Sequence, residues 1–282
     1  MSIQKVGVIG AGTMGNGIAH VFAASGHSVI LCDIEQSILD RALATITKNL
    51  DRALAKNKIT EAQKTETLHR IKPVTNRSAV SDCDFMVEAA SEKFELKSEL
   101  FRELDRICRS EVILASNTSS ISITKLGAAT RRADKVIGMH FFNPVPVMAL
   151  VEIVRGLATS NETFQAVREL AMKLGKTPVE VNDAPGFVSN RVLMPLLNEA
   201  MYAVMEGVAT PEAVDEVFKL GMAHPMGPLT LADFIGLDIC LDIMRVMHNG
   251  LGDPKYRPCP LLIKMVDAGR LGKKSGQGFY KY

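Results

Sequence analysis

The chain contains no tryptophan, only four tyrosines, and no apolar run that reaches the roughly 18–20 residues a membrane span requires. A helical membrane anchor is therefore not expected, and neither is a membrane partner. Its five cysteines, Cys32, Cys83, Cys108, Cys240 and Cys259, are odd in number and form no C-x-x-C pair. A disulfide framework and a bound metal are both unexpected, and a reducing interior fits best. No long lysine or arginine run is present. With 33 basic and 31 acidic residues the formal charge is only +2, so nothing points to a nucleic-acid partner. No secretory leader precedes the apolar pattern that starts at Lys5, and a cytoplasmic location is expected. An organelle-processed chain would look the same.

What is present is ordinary globular material. At 282 residues, 47% hydrophobic and 23% charged, the chain is long for one domain and comfortable for two. Short apolar runs alternate with amphipathic ones through the first two-thirds. Strands are expected at 5–10, 27–33, 85–89, 112–116, 135–139, 149–154 and 177–181. Helices are expected at 14–25, 37–57, 61–69 and 163–174. Such alternation predicts a mostly parallel sheet covered on both faces. Beyond Asp183-Ala184-Pro185-Gly186 only helical periods occur, at 187–205, 211–220, 229–247 and 260–268. The fold class expected is an α/β Rossmann-type dinucleotide-binding domain over residues 1–183 followed by an all-helical domain over 184–282, with the Pro-Gly pair as hinge.

Gly10-Ala11-Gly12-Thr13-Met14-Gly15 matches G-x-G-x-x-G, a weak pattern alone. Here a strand ends at Gly10 and a helix opens at Met14, which is the context the motif needs. Gly10 permits the tight turn, Gly12 lets a pyrophosphate approach the backbone, and Gly15 lets helix and strand pack closely. Asp33 closes the second strand, 18 residues after Gly15. An acid there accepts ribose hydroxyls and repels a 2′-phosphate, which predicts NAD rather than NADP. The plainer reading is a glycine turn beside a surface aspartate.

His140 follows one expected strand and Glu152 lies in the next, with Pro146 midway. If the chain folds back near Pro146, imidazole and carboxylate can meet. The carboxylate would then orient a base able to take a proton from a hydroxyl. Taken alone, a histidine is more often a hydrogen-bonded structural residue. Ala115-Ser116-Asn117-Thr118-Ser119-Ser120 should lie at the carboxyl edge of the sheet, where open α/β folds bind ligands. Its polar side chains could contact a ligand, cap the next helix, or do both.

The segments GAGTMGNGIAH, EAASEKFELKSELF, ASNTSSISIT, GMHFFNPVPVMALVE, DAPGFVSNR, HPMGPLTLADFIGLD and GKKSGQGFY span nearly the whole chain. In these motifs and their order the sequence resembles the 3-hydroxyacyl-CoA dehydrogenase family, most of all its short bacterial 3-hydroxybutyryl-CoA dehydrogenases. The resemblance implies an NAD-dependent enzyme that interconverts (S)-3-hydroxyacyl-CoA and 3-oxoacyl-CoA. It implies that His140 is the acid/base and Glu152 its partner, and that Ser119 and Asn190 hold the substrate's 3-oxygen. Glu92, Lys97, Asn117 and Asn143 are implied as further cofactor contacts, and Lys274 as one reaching in from the C-terminal tail.

Lys48, Arg52 and Lys56 recur at spacing four on one helix. They suit the phosphates of coenzyme A, although a solvated helix face is the commoner origin of such a stripe. The family places a serine and a lysine on this helix against the nucleotide. Lys56 matches the lysine, and Asn49 stands where the serine would be. Apolar Leu193, Leu196, Leu197, Met201 and Met205, together with the resemblance, suggest a homodimer through the helical domain. Two rivals remain. One is a dehydrogenase of small 3-hydroxy acids, which would use a catalytic lysine. The other is a non-catalytic NAD-binding descendant.

Overall fold

The structure is a computed structural model and describes residues 3–282. The chain folds into two compact units, one ending at Asp183 and the other spanning Ala184–Tyr282.

The first unit runs β1 (Lys5–Ile9), α1 (Thr13–Ala24), β2 (Ser28–Cys32), α2 (Gln36–Ala55), α3 (Glu61–His69), β3 (Ile71–Val74), β4 (Phe85–Glu88), α4 (Phe94–Ile107), β5 (Ile113–Ser116), α5 (Ile123–Ala128), β6 (Val136–Phe141), β7 (Leu150–Arg155), α6 (Asn161–Lys173) and β8 (Thr177–Asn182). The strands form one sheet in the order β3-β2-β1-β4-β5-β6-β7-β8. The first six are parallel; β7 pairs antiparallel with β6, and β8 is parallel to β7. The chain leaves β1 outward through β2 and β3, then returns to lay β4 on the other side of β1. That reversal opens a crevice beyond the carboxyl ends of β1 and β4, where such sheets bind ligands.

Central strands are buried and mostly apolar because both faces are covered, with polar residues such as Glu88 and Ser116 at their carboxyl ends. On one face α1 contributes Ile18 and Phe22, α2 contributes Leu39, Ile46 and Leu50, and α6 contributes Phe164 and Val167 to one buried cluster with Val6, Val8, Leu31 and Val87. In α2 the buried positions Leu39, Ala42, Ile46 and Leu50 recur every three or four residues, the period of one helix face. Helix α4 buries Leu100, Phe101 and Leu104 in the same way.

Three elements escape the apolar pattern of the sequence. Strand β3 is four residues long and contains Pro73. Helix α4 and the six-residue α5 fill a stretch where the pattern predicts only strands. Strand β6 also runs further than the pattern predicts, to Phe141, so His140 lies within the strand rather than after it.

The second unit contains α7 (Ser189–Met205), α8 (Pro211–Glu216), α9 (Pro228–Ile235), α10 (Leu237–Leu251) and α11 (Pro260–Asp267), with a π turn at Val217–Gly221 after α8. The sequence pattern predicts one helix over 229–247; there are two. Gly236 separates α9 from α10 with φ at 104°, a conformation closed to ordinary side chains. The core of this unit joins Met194, Leu197, Met201, Leu229, Leu241 and Met244. Buried Asp215 accepts hydrogen bonds from the Leu229 and Thr230 amides at the start of α9 and from the Tyr280 hydroxyl. Buried Asp233 accepts from the amides of Phe279 and Tyr280, so two carboxylates hold the C-terminal tail.

Among the described residues, no helix is long and apolar enough to cross a membrane. None of them forms a group of three or more side chains suited to a metal. All five cysteines are buried free thiols.

Candidate active site

The glycine-rich turn joins β1 to α1. Gly10 sits at φ 95°, and a Cβ on Gly15 would collide with the Gly10 carbonyl oxygen, so both positions exclude side chains for internal reasons. Gly12 differs: a Cβ there would meet no protein atom within 4 Å. Bareness at that position serves whatever approaches from outside. Helix α1 starts at Thr13 with no side-chain cap, leaving its first N–H groups and its positive dipole end for an anion. These features fit a dinucleotide's pyrophosphate.

Asp33 stands just past β2. Its Oδ2 accepts from the Ala11 amide at 2.7 Å and its Oδ1 from the Ile34 amide at 2.7 Å, which locks the carboxylate beside the glycine turn. A cavity of about 290 Å³ opens here, lined by Gly10, Gly12, Asp33, Ile38, Arg77 and Leu96 among others. Two faces of different kind, an acid and an apolar wall, suit the ribose and adenine of an adenosine.

His140 and Glu152 are direct partners in the β6–β7 ladder. Opposed residues of antiparallel strands project on the same side with Cβ atoms about 4.5–5.5 Å apart. His140 Nδ1 lies 2.8 Å from Glu152 Oε2, and both side chains are buried. The Phe142 ring packs against the imidazole, with centroids 4.6 Å apart.

At the carboxyl ends of β4 and β5 lies a polar relay that the sequence motifs only half reveal. Lys97, expected as a cofactor contact, is 1% exposed and donates to Glu88 Oε1 at 2.6 Å and to the Ala90 carbonyl at 3.1 Å. It also lies 3.3 Å from Glu92 Oε2. Glu88 is fully buried and accepts from Ser116 Oγ at 2.6 Å. Glu92 Oε1 accepts from Thr118 Oγ1 at 2.6 Å and from the amides of Ser119 and Ser120. Partial burial pushes the Glu92 carboxyl up. The Lys97 ammonium, the Thr118 hydroxyl and the Ser119 amide outweigh that and leave its pKa below the ordinary glutamate value. Asn117 Oδ1 accepts from the Phe141 amide at 2.9 Å, tying the 117–120 loop to the residue beside His140. Glu88 and Ser116 have no role that the sequence motifs assign. The available signal is a glutamate ending an apolar strand, with a lysine nine residues later.

A second, larger cavity of about 910 Å³ opens beside α2 and α3. Asn49, Arg52 and Lys56 line it from α2 and its end, Arg70 from the end of α3, and Lys176 from the turn into β8. Lys48, one turn before Arg52, is not among the residues that line it. Pro144, Pro146 and Val147 also line the cavity, and they belong to the loop joining the strands that carry His140 and Glu152. Lys176 pins that loop by donating to the Val145 and Met148 carbonyls at 2.6 and 2.8 Å. Buried His20 also lines this cavity, and burial, followed by the Lys176 charge, lowers its pKa.

Asn143 lies in the loop just after β6. In the second unit, Asn190 is the second residue of α7. Lys274 donates to Asp238 Oδ2 at 2.6 Å, so it has a partner within its own unit.

Nearly the whole chain divides between two family models: the NAD binding domain of 3-hydroxyacyl-CoA dehydrogenase over residues 5–184 and its C-terminal domain over residues 186–282. A Deinococcus radiodurans protein designated a probable 3-hydroxybutyryl-CoA dehydrogenase is 60% identical over 99% of this chain and 100% of its own. The 3-hydroxybutyryl-CoA dehydrogenase of Bradyrhizobium diazoefficiens is 54% identical over 99% of this chain and 96% of its own. Among solved structures, an (S)-3-hydroxybutyryl-CoA dehydrogenase from Ralstonia eutropha superposes with a TM-score of 0.97 at 52% identity, covering 100% of this chain and 99% of that one. A nucleotide turn closed by an acid, a histidine–glutamate pair and a match along both halves converge on one assignment: the chain belongs to the NAD-dependent 3-hydroxyacyl-CoA dehydrogenase family.

Proposed function

We propose that the chain interconverts (S)-3-hydroxybutyryl-CoA and acetoacetyl-CoA, with His140 as acid/base and Glu152 as its orienter. The observation that carries this reading is the 2.8 Å contact between His140 Nδ1 and Glu152 Oε2. A carboxylate can only accept there, so Nδ1 carries the hydrogen and Nε2 is the proton acceptor. In the oxidising direction Nε2 takes the proton of the 3-hydroxyl; in reduction the imidazolium returns it. The nearby carboxylate stabilises the imidazolium formed in between. When bound, NAD supplies the acceptor for the hydride that leaves C3.

Ser119 and Asn190 are proposed to hold the 3-oxygen, with the relay through Glu92 fixing the backbone around Ser119. Asn117, Asn143, Glu92, Lys97 and Lys274 remain proposed cofactor contacts. For Lys97 the contact would act through the Glu92 and Ala90 groups it holds. Arg52 and Lys56 are proposed as the coenzyme A handle, joined by Arg70 and Lys176 on the same cavity, with Asn49 in the place of the family's serine. A homodimer through the second unit and action inside the cytoplasm belong to the same proposal.

The test follows NADH absorbance with acetoacetyl-CoA in one direction and with each 3-hydroxybutyryl-CoA enantiomer in the other. Turnover of the (S) and not the (R) substrate is expected. Absence of turnover with acetoacetyl-CoA, or preference for free 3-hydroxy acids, would overturn the reading.

A further inference from the structure

The cavity beside Asp33 holds a group that the family motifs do not account for. Among its described lining residues Arg77 is the only cation. It opens a short 3₁₀ turn, Arg77–Val80, whose backbone is fixed by Asn76 Oδ1 accepting from the Ser78 amide at 2.9 Å. Its Nε lies 2.9 Å from Glu103 Oε1 and 2.8 Å from Oε2, so the α4 carboxylate grips that edge of the guanidinium. About a third of the Arg77 side chain stays accessible, against a quarter of Glu103.

An arginine next to the residue at the end of β2 commonly receives the 2′-phosphate of NADP. Charge decides against that role here. Asp33, Glu103 and Arg77 together sum to one negative charge, and Asp33 cannot swing away because two amides hold it. A guanidinium whose charge is offset in its own plane keeps its flat faces for stacking, and it stacks well on aromatic rings. Adenine offers such a ring, and apolar Ile38 and Leu96 in the lining of the same cavity suit the rest of its surface.

We propose that Arg77 binds the adenine of NAD by stacking, and that Glu103 makes it a selector by withholding its charge from a 2′-phosphate. The inference rests on NAD use by the family and not on the acyl-CoA substrate. Cofactor titrations therefore test it even if the acetoacetyl-CoA assay fails.

Equilibrium binding is followed by cofactor fluorescence on the full chain, with NADH, NADPH and reduced nicotinamide mononucleotide, which lacks the adenosine half. Arg77→Ala is expected to weaken NADH by about 3–10-fold and leave the mononucleotide unchanged. Arg77→Lys, a point charge without a plane, should not restore NADH affinity. Glu103→Gln should raise the affinity for NADPH relative to NADH by about 3–10-fold, because the freed charge can meet the extra phosphate. Equal losses for NADH and the mononucleotide in Arg77→Ala would show a structural role and overturn the proposal. So would unchanged NADH affinity, or a loss confined to NADPH.

Discussion

His140 and Glu152 face each other across the only antiparallel ladder of the described sheet, with Nδ1 2.8 Å from Oε2. Their meeting is a property of strand register. A one-residue slip of β7 would send Glu152 to the opposite face of the sheet. The dyad is therefore built by the backbone, and Lys176 ties down the loop that turns one strand into the next.

Lys97 and Glu88 form an ion pair with both side chains essentially inaccessible. Removing one partner leaves the other charged and buried, which costs about 3–5 kcal/mol. Lys97→Met should lower unfolding stability by that amount. Adding Glu88→Gln should recover much of the loss, since the fully buried charge is then gone and only the partly exposed Glu92 is left without the ammonium. Urea midpoints for the two single variants and the double variant check this. Additive losses would mean the pair is not coupled as described.

Glu92 gives a pH signature. Its folded pKa is lowered, so its contribution to stability is fully present above the ordinary glutamate value and is lost as pH falls through the folded one. Wild type should be more stable than Glu92→Gln near neutrality, and the gap should close in acid. A gap that widened on acidification would contradict the charged hydrogen bonds to Thr118 and Ser119.

Arg52 and Lys56 line the larger cavity and Lys48 does not. Exposed ion contacts are worth about 1 kcal/mol each, so alanine at Arg52 or Lys56 should raise KM for acetoacetyl-CoA by about 3–5-fold. The turnover number should hold, because binding common to ground and transition states is lost. Lys48→Ala should change little. A pantetheine thioester lacks the nucleotide phosphates and should not distinguish the variants. Equal loss on both substrates would remove the handle.

Much of this architecture is written in local pattern. The glycine turn, Asp33 and the alternating periods of β1 through α2 need only neighbours in sequence. Strand β3 is invisible there because four residues with a proline carry no alternation, and only the adjacent β2 makes them a strand. Gly236 lies inside a continuous apolar period, and the positive φ with which it breaks the helix is nothing a helical pattern reveals. Spacing about a proline suggests His140 and Glu152, whereas Glu88 is hidden as the end of an apolar strand. Its meaning appears only when α4 returns Lys97 to it.

The most direct measurement compares turnover of wild type, His140→Ala and Glu152→Gln with acetoacetyl-CoA and NADH, alongside NADH affinity for each. The account predicts that His140→Ala lowers kcat by about 10²–10⁴-fold. Glu152→Gln should also lower it, because the imidazolium loses its counter-charge. NADH affinity should persist in both variants, since neither side chain belongs to the nucleotide turn. Near-wild-type turnover by His140→Ala would contradict the account.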